Sequence, residues 1–228
     1  MRKSAAALSL LALVAVGLSA QSYPPPFPRP NATKVLENDR LIAWDVVWPK
    51  GQPTAMHQHP YDLVAAFLEP GDRMITSQDG TKRPTTAKAY DVSLTAKGNI
   101  HIEEGTSDKS PRAILVELKE SGPRLLPPVD APAPTAFPRP GGKQLLDNAR
   151  VTIWEYKWTL GAPVPLHKHD RDTLVVWFEN GKLQSAPLTG APSVIDAQFG
   201  KLRYSERGTV HTETAIEGPP RAVIIELK

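Results

Sequence analysis

The sequence of 228 residues predicts an all-β chain that is built from two tandem domains of the same design. Two observations predict this fold class. The chain repeats itself at a constant offset that matches Phe27 to Phe137, and each repeat contains short apolar segments separated by proline and glycine turns. Neither repeat shows capped segments with helical periodicity. Many short strands joined by such turns are typical of a β-sandwich or β-barrel.

The repeat begins at Phe27-Pro28-Arg29-Pro30, which recurs as Phe137-Pro138-Arg139-Pro140. Between residues 27 and 70, 15 of 44 positions are identical to their counterparts, without a gap. The stretch 112–119, RAILVELK, returns at 221–228 as RAVIIELK. Solenoid repeats are about 20–50 residues long and numerous, so a longer unit that occurs twice indicates duplicated domains. We expect domains at 21–120 and 137–228, joined by a proline- and alanine-rich linker at 121–136.

The start of the chain, from Met1 to Ala20, predicts a secretory signal peptide. Arg2 and Lys3 precede an apolar run over 5–18, and small residues follow it up to Ala20. A membrane anchor is the alternative, but the run is shorter than the ~20 residues that span a bilayer. The sequence therefore predicts a periplasmic or secreted protein, with no membrane contact after cleavage.

Composition excludes several classes of function. The chain has no cysteine, so disulfide scaffolds, cysteine-ligated metals, thiol nucleophiles and an N-terminal lipid anchor are all ruled out. Removing Arg2 and Lys3 from the 27 basic residues leaves 25 against 24 acidic ones. A nearly neutral chain without a basic stripe argues against a nucleic-acid partner. A small-molecule ligand is expected instead, and a homodimer is compatible with the sequence.

Three strand segments are predicted in each repeat. Residues 41–48 alternate so that Ile42, Trp44, Val46 and Trp48 share one face, and residues 152–158 repeat the pattern. Residues 63–68 and 173–178 are apolar runs that end at turns, as buried strands do. Residues 113–116 and 222–225 are the third pair. The repeated tryptophans are interpreted as packing residues, with ligand stacking as the alternative.

All six histidines occupy repeated positions, namely His57, His59 and His101 in the first repeat and His167, His169 and His211 in the second. Histidines at i and i+2 of a strand point to the same side, and a third from a neighbouring strand can complete a set of three nitrogen donors. Such a set suits divalent Fe, Zn, Cu, Mn or Ni and leaves coordination positions open. The alternative is that the histidines are structural residues retained from a common ancestor.

These motifs resemble those of the cupin superfamily. Gly51-x5-His57-x-His59 and Gly161-x5-His167-x-His169 are similar to the first cupin motif, and Gly98-x2-His101 and Gly208-x2-His211 to the second. The resemblance covers the chain from about residue 27 to its end. It implies two jelly-roll β-barrels, a bicupin, with one divalent transition metal in each barrel.

One departure from the cupin pattern concerns a fourth ligand. Where four-ligand cupins carry a glutamate, this chain has Val64 and Leu174. Asp62 and Asp172 lie two residues earlier and are candidate fourth ligands, with a solvated or turn-capping role as the alternative. A set of three histidines resembles the centres of thiol and diketone dioxygenases in the superfamily, and His₃ zinc sites. The missing glutamate argues against oxalate-type manganese chemistry.

Other repeated polar residues are candidates for supporting roles. Glu103 and Glu213 follow the third histidine of each set by two residues, so each is a candidate catalytic base or ligand-orienting group. An outward carboxylate is the alternative. Arg40 and Arg150 repeat too, as do the acidic residues at 45 and 155, and they predict structural ion pairs.

Two functions follow as expectations. The first is an exported metalloenzyme acting on a small molecule, with dioxygenase-like or metal-hydroxide chemistry at a three-histidine centre. The second is a non-catalytic, metal-dependent binding module for a carbohydrate or an organic acid. A variant of the first has one catalytic repeat and one structural repeat, because residues around the histidines differ.

Overall fold

The computed structural model describes residues 22–119 and 130–228. The predicted signal peptide and most of the predicted linker therefore lie outside the described residues. Within these ranges every regular element is a β-strand. The described residues therefore contain no helix that is long and apolar enough to cross a membrane.

The first repeat forms nine strands. They are β1 (Ala32–Glu37), β2 (Leu41–Val47), β3 (His57–Gln58), β4 (Asp62–Glu69), β5 (Gly71–Ser77), β6 (Lys82–Ala87), β7 (Val92–Thr95), β8 (Ile100–Gly105) and β9 (Arg112–Leu118). They form two antiparallel sheets, with orders β1-β2-β9-β4-β7 and β3-β8-β5-β6. These sheets make up the first barrel.

The second repeat forms nine further strands. They are β10 (Lys143–Asp147), β11 (Val151–Lys157), β12 (Pro163–Lys168), β13 (Asp172–Glu179), β14 (Gly181–Pro187), β15 (Ser193–Ala197), β16 (Leu202–Ser205), β17 (Val210–Glu217) and β18 (Arg221–Leu227). Their sheets, β10-β11-β18-β13-β16 and β12-β17-β14-β15, repeat the topology of the first barrel strand for strand. The all-β duplication predicted from the sequence is confirmed.

A segment before the first strand of each repeat pairs with the strand that carries the first histidine. Gln58 donates its backbone N–H to the carbonyl of Pro24, and Lys168 donates to that of Pro134. Ala136 in turn donates to Lys168 and is 2% exposed. The last residues of the stretch predicted as a linker therefore pack on the second barrel.

Each barrel has its own core. In the first, Trp44 and Val46 of β2 and Trp48, which follows it, pack inward as predicted, against Phe67 and Leu115. In the second, the corresponding tryptophans pack in the same way. The repeated tryptophans are thus packing residues.

The five-stranded sheets of the two barrels share a third core. Val64 and Ile114 of the first barrel, and Leu174 and Ile225 of the second, are 0% exposed and belong to one cluster. These strands are buried on both faces, one toward the barrel interior and one toward the other barrel. This double burial explains why their sequences are continuous apolar runs rather than alternating ones.

Candidate metal centre

Strand pairing brings the three histidines of each repeat together. His57 on β3 lies directly opposite His101 on β8. The pairing extends to His59, whose backbone N–H donates to the carbonyl of Asn99 at 3.0 Å. Side chains two residues apart on an extended chain share a face, so the three imidazoles converge. In the second barrel His167 lies opposite His211, and the third imidazole, His169, joins them.

Both clusters are compact and buried. In each, one nitrogen from each of the three histidines lies within 4.8 Å of the others. The Nε2 atoms of His59 and His101 are 3.4 Å apart, and those of His169 and His211 are 3.1 Å apart. The six side chains are between 3% and 9% exposed.

The first histidine of each cluster is held in a defined tautomer. His57 donates Nδ1–H to the Ala55 carbonyl at 2.9 Å, and His167 donates to the Pro165 carbonyl at 2.8 Å. The proton therefore resides on Nδ1, which leaves a lone pair on Nε2. Both Nε2 atoms are buried without a hydrogen-bond partner. An unpartnered buried nitrogen is costly unless something binds to it.

The third histidine is oriented differently in the two barrels. His101 Nδ1 lies 3.2 Å from the side-chain oxygen of Asn99, whereas His211 Nδ1 lies 2.7 Å from the hydroxyl of Ser185. Such contacts on the outer nitrogen turn the inner Nε2 toward a ligand.

All six histidines are held neutral. Burial, which penalises the charged imidazolium, lowers the pKa of each one. The pKa falls to about 4 for His59, His101 and His211, and to about 3 for His169. Neutral imidazole is the form that binds a metal.

These features fit a divalent transition metal. Two nitrogens bound at about 2.1 Å with a tetrahedral angle are roughly 3.4 Å apart, close to the Nε2 separations of the two clusters. The residues that would hold the ion are the six histidines of the two predicted sets, all of which the fold brings together.

The two glutamates predicted beside the clusters lie there, and each is bound by arginine and by a tryptophan indole. Glu103 Oε1 is 3.8 Å from His101 Nε2 and 3.1 Å from Arg73 Nη1. Its other oxygen accepts hydrogen bonds from Arg29 at 3.0 Å and from the Trp48 indole at 2.9 Å.

These contacts determine the charge of Glu103. Burial raises its pKa, but Arg29 and Arg73 outweigh burial and lower the pKa to about 2. Such a carboxylate is a poor proton acceptor near neutral pH.

Glu213 has a similar but simpler environment. It is 3.4 Å from Arg139 and accepts a bond from the Trp158 indole at 3.1 Å. Burial raises the pKa of Glu213, but the nearby positive charges, of which Arg139 has the largest effect, lower it below its usual range. Both glutamates therefore fit a positioning role better than that of a base.

The structure does not bring Asp62 or Asp172 into either cluster. The Asp172 carboxylate accepts a hydrogen bond from Arg40 at 3.0 Å, and the Asp62 carboxylate accepts one from Arg150 at 3.3 Å. Each of these ion pairs crosses from one barrel to the other. The carboxylates face the partner barrel because the five-stranded sheets pack against each other there.

Sequence reasoning missed the arginines that surround the glutamates. Arg29 and Arg139 belong to the repeated Phe-Pro-Arg-Pro segments, so the repeat itself was an available signal. Arg73 had no such signal, because its counterpart in the second repeat is Leu183. Asn99 and Ser185, which orient the third histidines, are likewise not equivalent positions.

The two clusters face cavities of very different size. His101 and Glu103 line a cavity of about 350 Å³ in the first barrel, together with Arg73, Arg83 and Thr85. We call this the first cavity. His169, His211 and Glu213 line a cavity of about 30 Å³ in the second barrel. The first lies in the size range of small-molecule sites, about 300–1,000 Å³, and the second holds about one water molecule.

No family model matches the chain, and no curated protein matches its sequence. Solved structures do match. AerE from Microcystis aeruginosa aligns over 90% of this chain and 98% of its own, with a TM-score of 0.63 and 16% identity. A cupin 2 conserved barrel domain protein from Leptotrichia buccalis aligns over 86% and 88%, with a TM-score of 0.55 and 14% identity.

Oxalate decarboxylase of Bacillus subtilis, in a structure described for its Mn(II) centres, is also similar. It aligns over 92% of this chain and 78% of its own, with a TM-score of 0.59 and 12% identity. At these identities the likeness concerns the fold. The chain therefore has the fold of a two-domain cupin, with tandem jelly-roll barrels and a three-histidine cluster in each.

Proposed function

We propose that this protein is an exported metalloenzyme that acts on a small molecule in its first barrel. The observation that carries the proposal is the first cavity, about 350 Å³ in volume, with His101 and Glu103 in its wall. A metal held by His57, His59 and His101 would be within reach of a ligand in this cavity.

The chemistry would come from an ion with open coordination positions. Bound there, a divalent metal supplies Lewis acidity or, when it is iron, redox chemistry toward dioxygen. The role of the chain is positioning. Ala55 and Asn99 hold the outer nitrogens of His57 and His101, and Arg29 and Arg73 hold Glu103 beside the cluster.

The two barrels would have different roles, one catalytic and one structural. The second retains three histidines and a glutamate, but its cavity has room for about one water molecule. A metal there would stabilise the fold without meeting a substrate. Such a division corresponds to one catalytic and one structural repeat.

A non-catalytic binding module is the second candidate, and the state of Glu103 favours it. That carboxylate is committed to two arginines and its pKa is about 2, so it offers no base for hydrolytic or proton-transfer chemistry. Oxidation by dioxygen needs no such base, and for that reason we place the dioxygenase-like enzyme first.

Export is supported by the stretch from Met1 to Ala20 alone. A charged start, an apolar run and small residues before Gln21 are typical of a cleaved signal. Mass spectrometry of protein recovered from the periplasm or medium should show an N-terminus near Gln21.

Metal content is the first experiment. Protein purified without added metal should carry up to two first-row transition-metal ions per chain by mass spectrometry. The double variant His57→Ala/His59→Ala should lose about half of the metal, and the matched variant His167→Ala/His169→Ala the other half. Absence of metal, and of uptake of Fe, Zn, Cu, Mn or Ni, would overturn the proposal.

Activity separates the two candidates. If the metal is iron, oxygen consumption should be measured against thiols, diketones and phenolics. The enzyme proposal requires turnover that His57→Ala/His59→Ala abolishes and His167→Ala/His169→Ala spares. Ligand binding without turnover would instead favour the binding module.

A further inference from the structure

The two barrels differ at one pair of facing positions on equivalent strands. Arg73 on β5 lies opposite Thr85 on β6, and both line the first cavity. The equivalent pair in the second barrel is Leu183 and Ile195, both buried. Two buried aliphatic side chains therefore stand where the first barrel has an arginine and a threonine at its cavity.

The first barrel also contains one more buried positive charge than its glutamate can balance. Arg29 and Arg73 both bind Glu103, at 3.0 and 3.1 Å, and their side chains are 11% and 12% exposed. In the second barrel one arginine, Arg139, faces one glutamate, Glu213. A buried charge without a counter-ion is unfavourable. The first barrel therefore favours an additional anion.

Arg73 is positioned to receive that anion. Its guanidinium lies over the Trp48 and Phe67 rings, 4.5 and 4.8 Å from their centroids, which fixes its plane. Its Nε is buried and has no hydrogen-bond partner. Arg83, on the strand paired with β5, is exposed and lines the same cavity. A carboxylate has the opposite charge to a guanidinium and the planar geometry to bind it through two hydrogen bonds.

The second barrel has an arginine at its cavity too, but no room for a ligand. Arg203, half-buried, lines the small cavity at the position of Ser93 in the first barrel. Since that cavity holds about one water molecule, Arg203 serves as a natural control for the effect of charge alone.

We propose that the first cavity selects a small organic anion whose carboxylate binds Arg73 and Arg83, and that the second barrel takes no such ligand. This inference rests on the proposed function in that the same ligand would reach the metal held by the first cluster. It names the substrate class that the proposed function left open, namely compact carboxylic acids.

The test is a calorimetric titration of the metal-loaded, full mature protein with acetate and with acetamide, its neutral analogue. We expect one acetate per chain, with acetamide binding about tenfold or more weakly, because a hydrogen-bonded charge is lost. Arg73→Leu, which installs the residue of the second barrel, should weaken acetate binding by about tenfold or more. Arg203→Ser should leave it unchanged.

Two further measurements keep the result interpretable. Each variant should retain two metal ions per chain and its far-ultraviolet dichroism, which shows that it is folded. If Arg73→Leu is not, Arg73→Gln removes the charge with less change in polarity and should weaken acetate binding to a similar extent.

The outcomes separate this inference from the proposed function. Acetate binding that persists in a metal-loaded, folded Arg73→Leu or Arg73→Gln variant would overturn the anion site and leave the metal proposal intact. A protein that binds no metal overturns the proposed function, and acetate titration of that protein then decides the anion site by itself. Equal affinity for acetate and acetamide also overturns the inference.

Discussion

Arg40 Nη1 lies 3.0 Å from Asp172 Oδ2, and this contact joins the two barrels. Its counterpart joins Arg150 Nη1 to Asp62 Oδ2 at 3.3 Å in the opposite direction. Because the same two residue types recur at equivalent positions of the two repeats, one self-complementary contact is made twice across a pseudo-two-fold relation between the barrels. The repeated Arg and Asp positions are thus interface residues.

The two ion pairs should contribute unequally to stability. Arg40 and Asp172 are 9% and 4% exposed in their side chains, whereas Arg150 and Asp62 are 32% and 25% exposed. Arg40→Ala leaves the buried Asp172 carboxylate without its positively charged partner and should lower the free energy of unfolding by about 3–5 kcal/mol. Arg150→Ala should cost about 1 kcal/mol or less. Urea denaturation of both variants measures the difference, and equal losses would contradict this account.

Ser185 should control metal affinity in the second barrel. Its hydroxyl is 2.7 Å from His211 Nδ1, and Ser185→Ala removes the group that orients this imidazole. We expect a loss of about 10–100-fold in the affinity of one of the two metal ions. Ser193→Ala is the matched control, because Ser193 lies opposite Ser185 on the paired strand β15 but is exposed. Competition with a chelator measures both affinities, and an unchanged Ser185→Ala profile would refute the orienting role.

The metal-free protein should lose stability on mild acidification. Folding lowers the pKa of His59, His101 and His211 from 6.5 to about 4, and that of His169 to about 3. Between pH 6.5 and 4 the unfolded chain therefore binds more protons than the folded one, so the stability present above pH 6.5 falls as pH falls.

Thermal unfolding in chelator, followed from pH 8 to pH 4, checks this prediction. His169→Gln removes the histidine with the lowest pKa and should flatten the curve below pH 6.5. The same Tm at pH 7 and pH 5 in the parent protein would be incompatible with neutral buried histidines.

The fold and the two histidine clusters could be predicted from the sequence because the residues that mark them occur twice. Repetition at a constant offset identified the two barrels, and it isolated every histidine at an equivalent position. The neighbouring residues could not be assigned in this way. Alternation places Asp62 on a face of β4, but both faces of that strand are buried, and only the packing of two barrels shows which face it occupies.

The surroundings of Glu103 were unpredictable for a different reason. Its partners Arg29 and Arg73 lie 74 and 30 residues away along the chain. Arg73 has no equivalent in the second repeat, so the comparison that revealed the histidines concealed it. Differences between the repeats, rather than identities, mark the residues that distinguish the first cavity from the second.

Neutralising Glu103 should be more harmful than neutralising Glu213. Glu103→Gln leaves two buried guanidinium groups without their carboxylate and should destabilise the protein by about 3–5 kcal/mol. Glu213→Gln leaves one guanidinium, held at a longer 3.4 Å, and should cost less. Chemical denaturation of the two variants tests the order. A larger loss for Glu213→Gln would contradict the excess of buried positive charge in the first barrel.

Leu183 should prove to be the residue that closes the second cavity. It is 0% exposed at the position where the first barrel has Arg73, and it packs against Ile195 across the sheet. Leu183→Ala should cost about 2–5 kcal/mol because it removes buried methyl groups and leaves a void. Leu160→Ala, at a side chain 57% exposed, is the matched control and should change stability by less than about 0.5 kcal/mol. Denaturation gives both values, and xenon binding in the Leu183→Ala variant would detect the new space. A loss no greater than that of Leu160→Ala would show that Leu183 does not fill the barrel.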